Sequence, residues 1–263
     1  MKISGFGCFG VIYEMKDIKI RKHIYILIIV ISILVIIYPR YNVKDTYIME
    51  GTRYETPIYY LNHGNKGTKV FIVGGIHGNE IAGIEVAKKI VEEKYIWANM
   101  VIIPMASIEA CRLETRNPYY MMDLNRTFPG KKSGTDTEIL AYEIFRVIEL
   151  EKPDFVIDLH EWNRLHDEDS SLLTHGLILS SVEGKLWKSA EKVYNEYNRL
   201  NDEEVKLSLN ISPPSGSLNK EISEKLGIPV LTIESNMDNS LQERIDFHIY
   251  IIENIIKNYE MDD

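Results

Sequence analysis

Residues 69–80 read Lys69-Val70-Phe71-Ile72-Val73-Gly74-Gly75-Ile76-His77-Gly78-Asn79-Glu80. An apolar, largely β-branched run closed by a glycine pair is what a strand buried on both faces requires. Phe155–Leu159 (FVIDL) and Val230–Glu234 (VLTIE) repeat that pattern. Shorter strand-length runs occur at Pro57–Leu61, Met100–Pro104, Gly176–Ser180 and Val205–Leu209. Helical periodicity marks Glu80–Lys94, Asp136–Leu150, Val182–Leu200, Leu218–Leu226 and Leu241–Tyr259. Strands alternating with helices predict an α/β fold with a mixed, mainly parallel central sheet and helices on both faces. With no internal repeat or linker in this region, residues 51–263 read as one domain.

The chain has 263 residues, 45% hydrophobic and 26% charged, a globular composition that excludes disordered, collagen-like and disulfide-framework proteins. A net charge of −9 argues against nucleic acid as a partner, because phosphate binding needs a basic face. The average hides an asymmetry. Residues 1–40 carry six Lys/Arg against Glu14 and Asp17, a net +4, which leaves residues 41–263 at −13.

Ile24–Tyr38 is fifteen residues without a charge, preceded by the basic cluster KDIKIRK. As a helix this run spans roughly 22 Å, and flanking tyrosines suit a membrane interface. The reading is a short cytoplasmic N-terminus over 1–23, a transmembrane signal anchor over 24–39 and a linker over 40–50. The excess of Lys/Arg before the span predicts a single-pass membrane protein whose catalytic domain is extracytoplasmic. Cys8 and Cys111 would then lie on opposite sides of the bilayer and stay unpaired.

Polar residues gather where the buried strands end, the place open α/β sheets build their sites. His77 and Glu80 follow the first strand, His160-Glu161 the second, and Glu234-Ser235-Asn236 the third. A three-residue step on a turn entering a helix puts His77 and Glu80 on one face. By itself H-x-x-E is a weak signal, and a surface pair is its default reading. The flanking glycines allow a tight turn, and His160 supplies a third donor; two His and one carboxylate with a position left for water is a catalytic zinc arrangement. In Met122–Gly130 (MDLNRTFPG), Arg126 beside Asn125 can grip a carboxylate by a fork and an amide hydrogen bond, and Asp123 can hold the free N–H of a ligand histidine. A solvated loop with a local salt bridge reads the same way. Pro213–Ser217 reads as a surface loop whose place before the last strand could put it over a pocket, and His63, His166, His175 and His248 read as non-ligands.

Taken in order, GGIHGNE, MDLNRTFPG, VIDLHE and IPVLTIES resemble the zinc carboxypeptidase superfamily, and within it the succinylglutamate desuccinylase/aspartoacylase family. The resemblance runs from about Gly51 to Asn236. It implies that His77, Glu80 and His160 hold one Zn2+ per chain, that Asn125 and Arg126 bind the substrate's terminal carboxylate, and that Glu234 is the general base. Arg116 matches the arginine that stabilises the oxyanion, with Arg112 in reserve because the spacing to DLNR is about two residues longer here. Glu161 is the rival base. The implied substrate is a small N-acyl amino acid or peptide with a free carboxylate, cleaved at the adjacent amide; an esterase and a non-catalytic binding module are the alternatives. No tyrosine lies between Tyr197 and Glu234, where digestive carboxypeptidases place a mobile one, which favours the deacylase branch. Only 29 residues follow Glu234, short of the C-terminal β domain of aspartoacylases, so the cleft is expected to be more open.

Overall fold

The computed structural model describes residues 44–62, 67–95, 97–162, 175–201 and 206–261. Asn42–Asp263 forms one compact unit. Its strands are β1 (Lys44–Ile48), β2 (Thr56–Leu61), β3 (Lys69–Val73), β4 (Asn99–Ile103), β5 (Phe155–Trp162), β6 (Gly176–Leu179), β7 (Ser208–Asn210) and β8 (Val230–Asn236). The helices are α1 (Ile81–Glu93), α2 (Ile108–Leu113), α3 (Asp136–Glu151), α4 (Gly184–Leu200), α5 (Leu218–Leu226) and α6 (Leu241–Met261). The eight strands form one sheet in the order β1-β2-β4-β3-β5-β8-β6-β7. Its centre, β4-β3-β5-β8, is parallel; β2 joins β4 and β6 joins β8 antiparallel. The expected mixed, mainly parallel sheet is thus observed.

Strand alternation explains the two cores. Val70 and Ile72 of β3 face one side with Ile90 of α1, Ala190 of α4 and Ile252 of α6. Phe71 and Val73 face the other with Leu140 and Ile144 of α3 and Ile222 of α5. All of the β4 residues Met100–Ile103 are buried, as a central strand covered on both faces demands. The α3 helix starts on a capping box: the Thr135 hydroxyl accepts from the Glu138 N–H while the Glu138 carboxylate accepts from Thr135 N–H. Thr135→Ala is expected to cost about 1 kcal/mol in urea unfolding, with the slope unchanged.

The expected membrane-spanning helix requires correction. Among the described residues no helix is long and apolar enough to cross a membrane, and residues 24–39 lie outside them. The longest described helix, α6, carries Glu243, Arg244, Asp246, Glu253 and Lys257 and buries Ile251, Ile252, Ile255 and Ile256 against the sheet. The membrane partner, the single-pass location and the extracytoplasmic placement rested on that span alone and are withdrawn with it. The stretch read as a linker supplies β1, which pairs with β2 from Lys44↔Tyr60 to Ile48↔Thr56.

Candidate metal centre and its cavity

Three neighbouring parallel strands, β3, β5 and β8, bring their C-terminal ends together. His77 lies in the turn after β3, and Glu80 is the residue on which α1 begins. His160 sits near the end of β5, in register with Glu234 of β8, so the two side chains share a face of the sheet. His77, Glu80 and His160 are all buried, and their donor atoms lie within 4.8 Å of one another. Glu80 divides its carboxylate between the imidazoles: Oε1 is 2.6 Å from His77 Nδ1 and Oε2 is 2.6 Å from His160 Nδ1. The outer ring nitrogens also have carboxylates. His77 Nε2 is 3.2 Å from Asp123 Oδ1, and His160 Nε2 is 3.2 Å from Asp158 Oδ2.

The electrostatics favour a cation. Burial opposes charge on Glu80, yet the two imidazoles hold its carboxyl at about 2. Burial likewise opposes protonation of the histidines, but Glu80 and Asp123 around His77, and Asp158 and Glu80 around His160, raise both above the ordinary imidazole value. Two imidazole nitrogens and a carboxylate, converging and buried among further carboxylates, suit a divalent metal with nitrogen and oxygen ligands.

Glycine makes the turn possible. A Cβ on Gly78 would stand 2.0 Å from the carbonyl of Ala110 in α2, so only glycine allows that approach. Gly78→Ala is expected to weaken divalent-cation binding at least about tenfold, since residue 78 stands between two of the candidate ligands; calorimetric titration reads it directly. Glu80 gives α1 no side-chain cap. Glu161 does so from across the sheet, accepting the Ala82 N–H at 2.8 Å. Its other oxygen accepts from Ser235 Oγ at 3.0 Å and from Arg244. A carboxylate so occupied is a strut rather than a free base.

The cluster of His77, Glu80 and His160 opens into a cavity of about 570 Å³ that Glu234, Arg116 and Arg126 also line. Burial pushes the Glu234 carboxyl up to about 7. Arg116 makes a fork onto Asp123 Oδ2, with Nε at 3.1 Å and Nη2 at 2.9 Å, and its Nη1 is 3.9 Å from Glu80. The reserve candidate Arg112 pairs instead with Glu109. Asn125 is buried and its Oδ1 accepts the Leu218 N–H at 3.0 Å, while Nδ2 is 3.2 Å from His160 Nε2. Arg126 is exposed to the cavity and donates to the Asn125 carbonyl at 2.8 Å. The Pro213–Ser217 loop does frame the cavity, through Pro213, Pro214 and Ser217. Gly216, at φ +74°, packs where a Cβ would be 2.5 Å from the Arg126 carbonyl.

Asp158, Asn219 and Thr232 are cavity residues that the sequence reading passed over. Asp158 carried a signal, standing two residues before His160 and hence on the same strand face. His175 and His248 are buried outside the cluster, His175 stacked on Phe247 at 3.8 Å and His248 Nε2 3.1 Å from Ser235 Oγ; His63 and His166 lie outside the described residues. A second cavity of about 660 Å³, between the start of α4 and α5, contains none of the metal cluster.

Comparison with known proteins finds relatives in both sequence and fold. Residues 66–167 match the family model of the succinylglutamate desuccinylase/aspartoacylase catalytic domain. That stretch contains the His77, Glu80 and His160 cluster, Arg116 and Asp123–Arg126, and it ends before Glu234. The chain is 32% identical over 115 residues to an N-alpha-acetyl-L-2,4-diaminobutyric acid deacetylase from Halomonas elongata, covering 42% of this chain and 33% of that one. The match thus spans about a third of that curated relative. Among solved structures, a succinylglutamate desuccinylase from Silicibacter sp. TM1040 superposes with a TM-score of 0.56 at 20% identity, over 79% of this chain and 60% of that one. A metallo-carboxypeptidase from Burkholderia cenocepacia gives 0.58 at 13% identity, over 80% and 62%. The family resemblance is borne out, the matched stretch taking in GGIHGNE, MDLNRTFPG and VIDLHE and ending before IPVLTIES.

Proposed function

We propose that this chain is a zinc-dependent hydrolase that cleaves the amide bond of an N-acyl amino acid, next to its free carboxylate. The observation that carries the reading is the convergence of His77, Glu80 and His160 on a cavity that also holds Glu234 and Arg126. The deacetylase likeness supports deacylation ahead of peptide trimming. His77 and His160 would bind through Nδ1 and Glu80 through its carboxylate, with Asp123 and Asp158 accepting the Nε2 protons and fixing both tautomers. Bound there, Zn2+ would acidify water and polarise the amide carbonyl.

The chain's own groups do the rest. Glu234 takes the proton from the attacking water and returns it to the departing amine. Arg116, held by Asp123 at the cavity edge, directs its positive charge at the developing oxyanion. Arg126 grips the substrate carboxylate, and Asn125, its amide tied to Leu218, steadies the loop beneath that guanidinium.

Arg126→Met should raise KM for N-acetyl amino acids about 10–100-fold, the size of a lost charged hydrogen-bond pair, with a smaller fall in kcat. The corresponding amino-acid amides, lacking the carboxylate, should be poor substrates of both proteins. An unchanged KM would remove Arg126 from the substrate site.

A further inference from the structure

Side chains alternate along a strand, so Glu161 and Ser235 point to the α1 and α6 side of the sheet while their neighbours His160 and Glu234 point to the other. The Glu161 side chain is 0% exposed. Its carboxylate joins three elements: Oε2 accepts from the Ala82 N–H at the start of α1, and Oε1 accepts from Ser235 Oγ of β8 and from Arg244 of α6. The Glu161 backbone N–H donates to Glu80 Oε2 at 3.2 Å. One residue thus ties together the elements that carry Glu80, His160 and Glu234.

Among the described residues Arg244 is the one cation paired with Glu161. Arg116 and Arg126, the other arginines at the cavity, donate to Asp123 and to the Asn125 carbonyl. A capping box fixes the first turn of α6: Ser240 Oγ accepts from the Glu243 N–H, and the Glu243 carboxylate accepts from the Ser240 N–H at 2.9 Å. Arg244 comes next and turns inward. Its Nε is buried and unpartnered, and so is Nδ1 of His248 one turn on, whose Nε2 meets Ser235 Oγ. An arginine that leaves a buried donor unpaired is poorly matched as a hydrogen-bonding strut. What it supplies is a full positive charge against a carboxylate closed off from water.

We propose that Arg244 is a positioning residue for the metal centre: through Glu161 it holds the start of α1, and so Glu80, against the strand ends that carry His160 and Glu234. The proposal rests on the metal-centre part of the hydrolase reading and on no particular substrate. Without the guanidinium, Glu161 is a buried charge with neutral donors only, a state relieved by parting the elements it joins. Glu80 then loses its fixed distance from His77 and His160, and the cost falls on metal affinity.

The test titrates zinc against a chromophoric chelator in the full chain, with urea unfolding of the metal-free proteins alongside. Arg244→Met is expected to weaken zinc binding about 10–100-fold, the loss typical when a ligand's supporting partner is removed. Arg244→Lys, which keeps the charge, should stay within about threefold of wild type. Glu161→Gln should weaken binding as well, and the double variant no more than Glu161→Gln alone, because the two residues act as a unit. Leu140→Ala, in the opposite core, is the control for destabilisation: it should lower the urea midpoint and leave zinc affinity unchanged. Should Arg244→Met fail to fold, Arg244→Gln, which keeps a neutral donor, gives the same reading. Zinc affinity indifferent to the loss of the charge, a loss in Arg244→Lys equal to that in Arg244→Met, additive losses in the double variant, or an equal loss in Leu140→Ala overturns the proposal. If the zinc losses appear but no N-acyl amino acid is hydrolysed, the positioning role stands and the deacylase reading falls. Hydrolysis with zinc affinity indifferent to Arg244 has the opposite meaning.

Discussion

Glu234→Gln lowers kcat for N-acetyl amino acids by about 10²–10⁴-fold while KM changes little, because a general base works in the transition state and contributes that much. The amide keeps the shape of the carboxyl, so the fold and the metal cluster should survive. The pH dependence carries a second signature. Burial raises the Glu234 carboxyl to about 7, so it is protonated and inactive as a base below that value and becomes competent as pH rises through it. A bound divalent cation draws the value down, which places the acid limb of kcat/KM at or below pH 7. Glu234→Gln should abolish that limb along with the rate. Loss of rate with the limb intact would assign the base elsewhere. Glu161 is already engaged by Ala82, Ser235 and Arg244, so Glu161→Gln should act on stability and metal affinity.

His160→Ala should have an effect of similar size by another route. It removes one of three ligands, so activity should fall about 10³-fold or more and bound metal should be lost. Stability separates this from a damaged fold. Zinc at about 100 times its Kd stabilises the wild type by about 2.7 kcal/mol, a rise of about 5–10 °C in Tm for a domain of this size. In His160→Ala that rise should vanish, whatever the metal-free Tm becomes once Glu80 and Asp158 lose their buried imidazole partner. The buried His175 and His248 are the controls. Burial holds their imidazoles down at about 4 and about 3, and they pack against Phe247 and Ser235. Replacing either should cost stability without removing the zinc response.

The central strands were legible because buried parallel strands are apolar throughout, so a histidine or glutamate at the end of VFIVGG, FVIDL or VLTIE stands out against them. Their common direction then carried His77, Glu80, His160 and Glu234 to one edge without further assumption. The edges of the sheet were harder. β1 (KDTYI) is polar enough to pass for linker, and β7 at Ser208–Asn210 falls later than the expected Val205–Leu209, since a strand paired on one side needs little apolar pattern. The six-residue α2 is too short for periodicity to register. The membrane span was an inference from an uncharged apolar run with basic and tyrosine flanks, a local pattern that fixes neither structure nor location. Asn219 and Thr232 meet only because α5 packs onto β8, a contact with no trace in local sequence.

The most direct measurement combines metal content and turnover in one sample: hydrolysis of N-acetyl amino acids by the chain after zinc reconstitution, after chelation and after readdition of zinc. The expected result is about one zinc per chain, activity lost on chelation, and activity restored as zinc returns to that stoichiometry. Hydrolysis that persists after the metal is removed, or a chain that retains no zinc while remaining folded, would contradict the assignment of His77, Glu80 and His160 as the centre of a metallohydrolase.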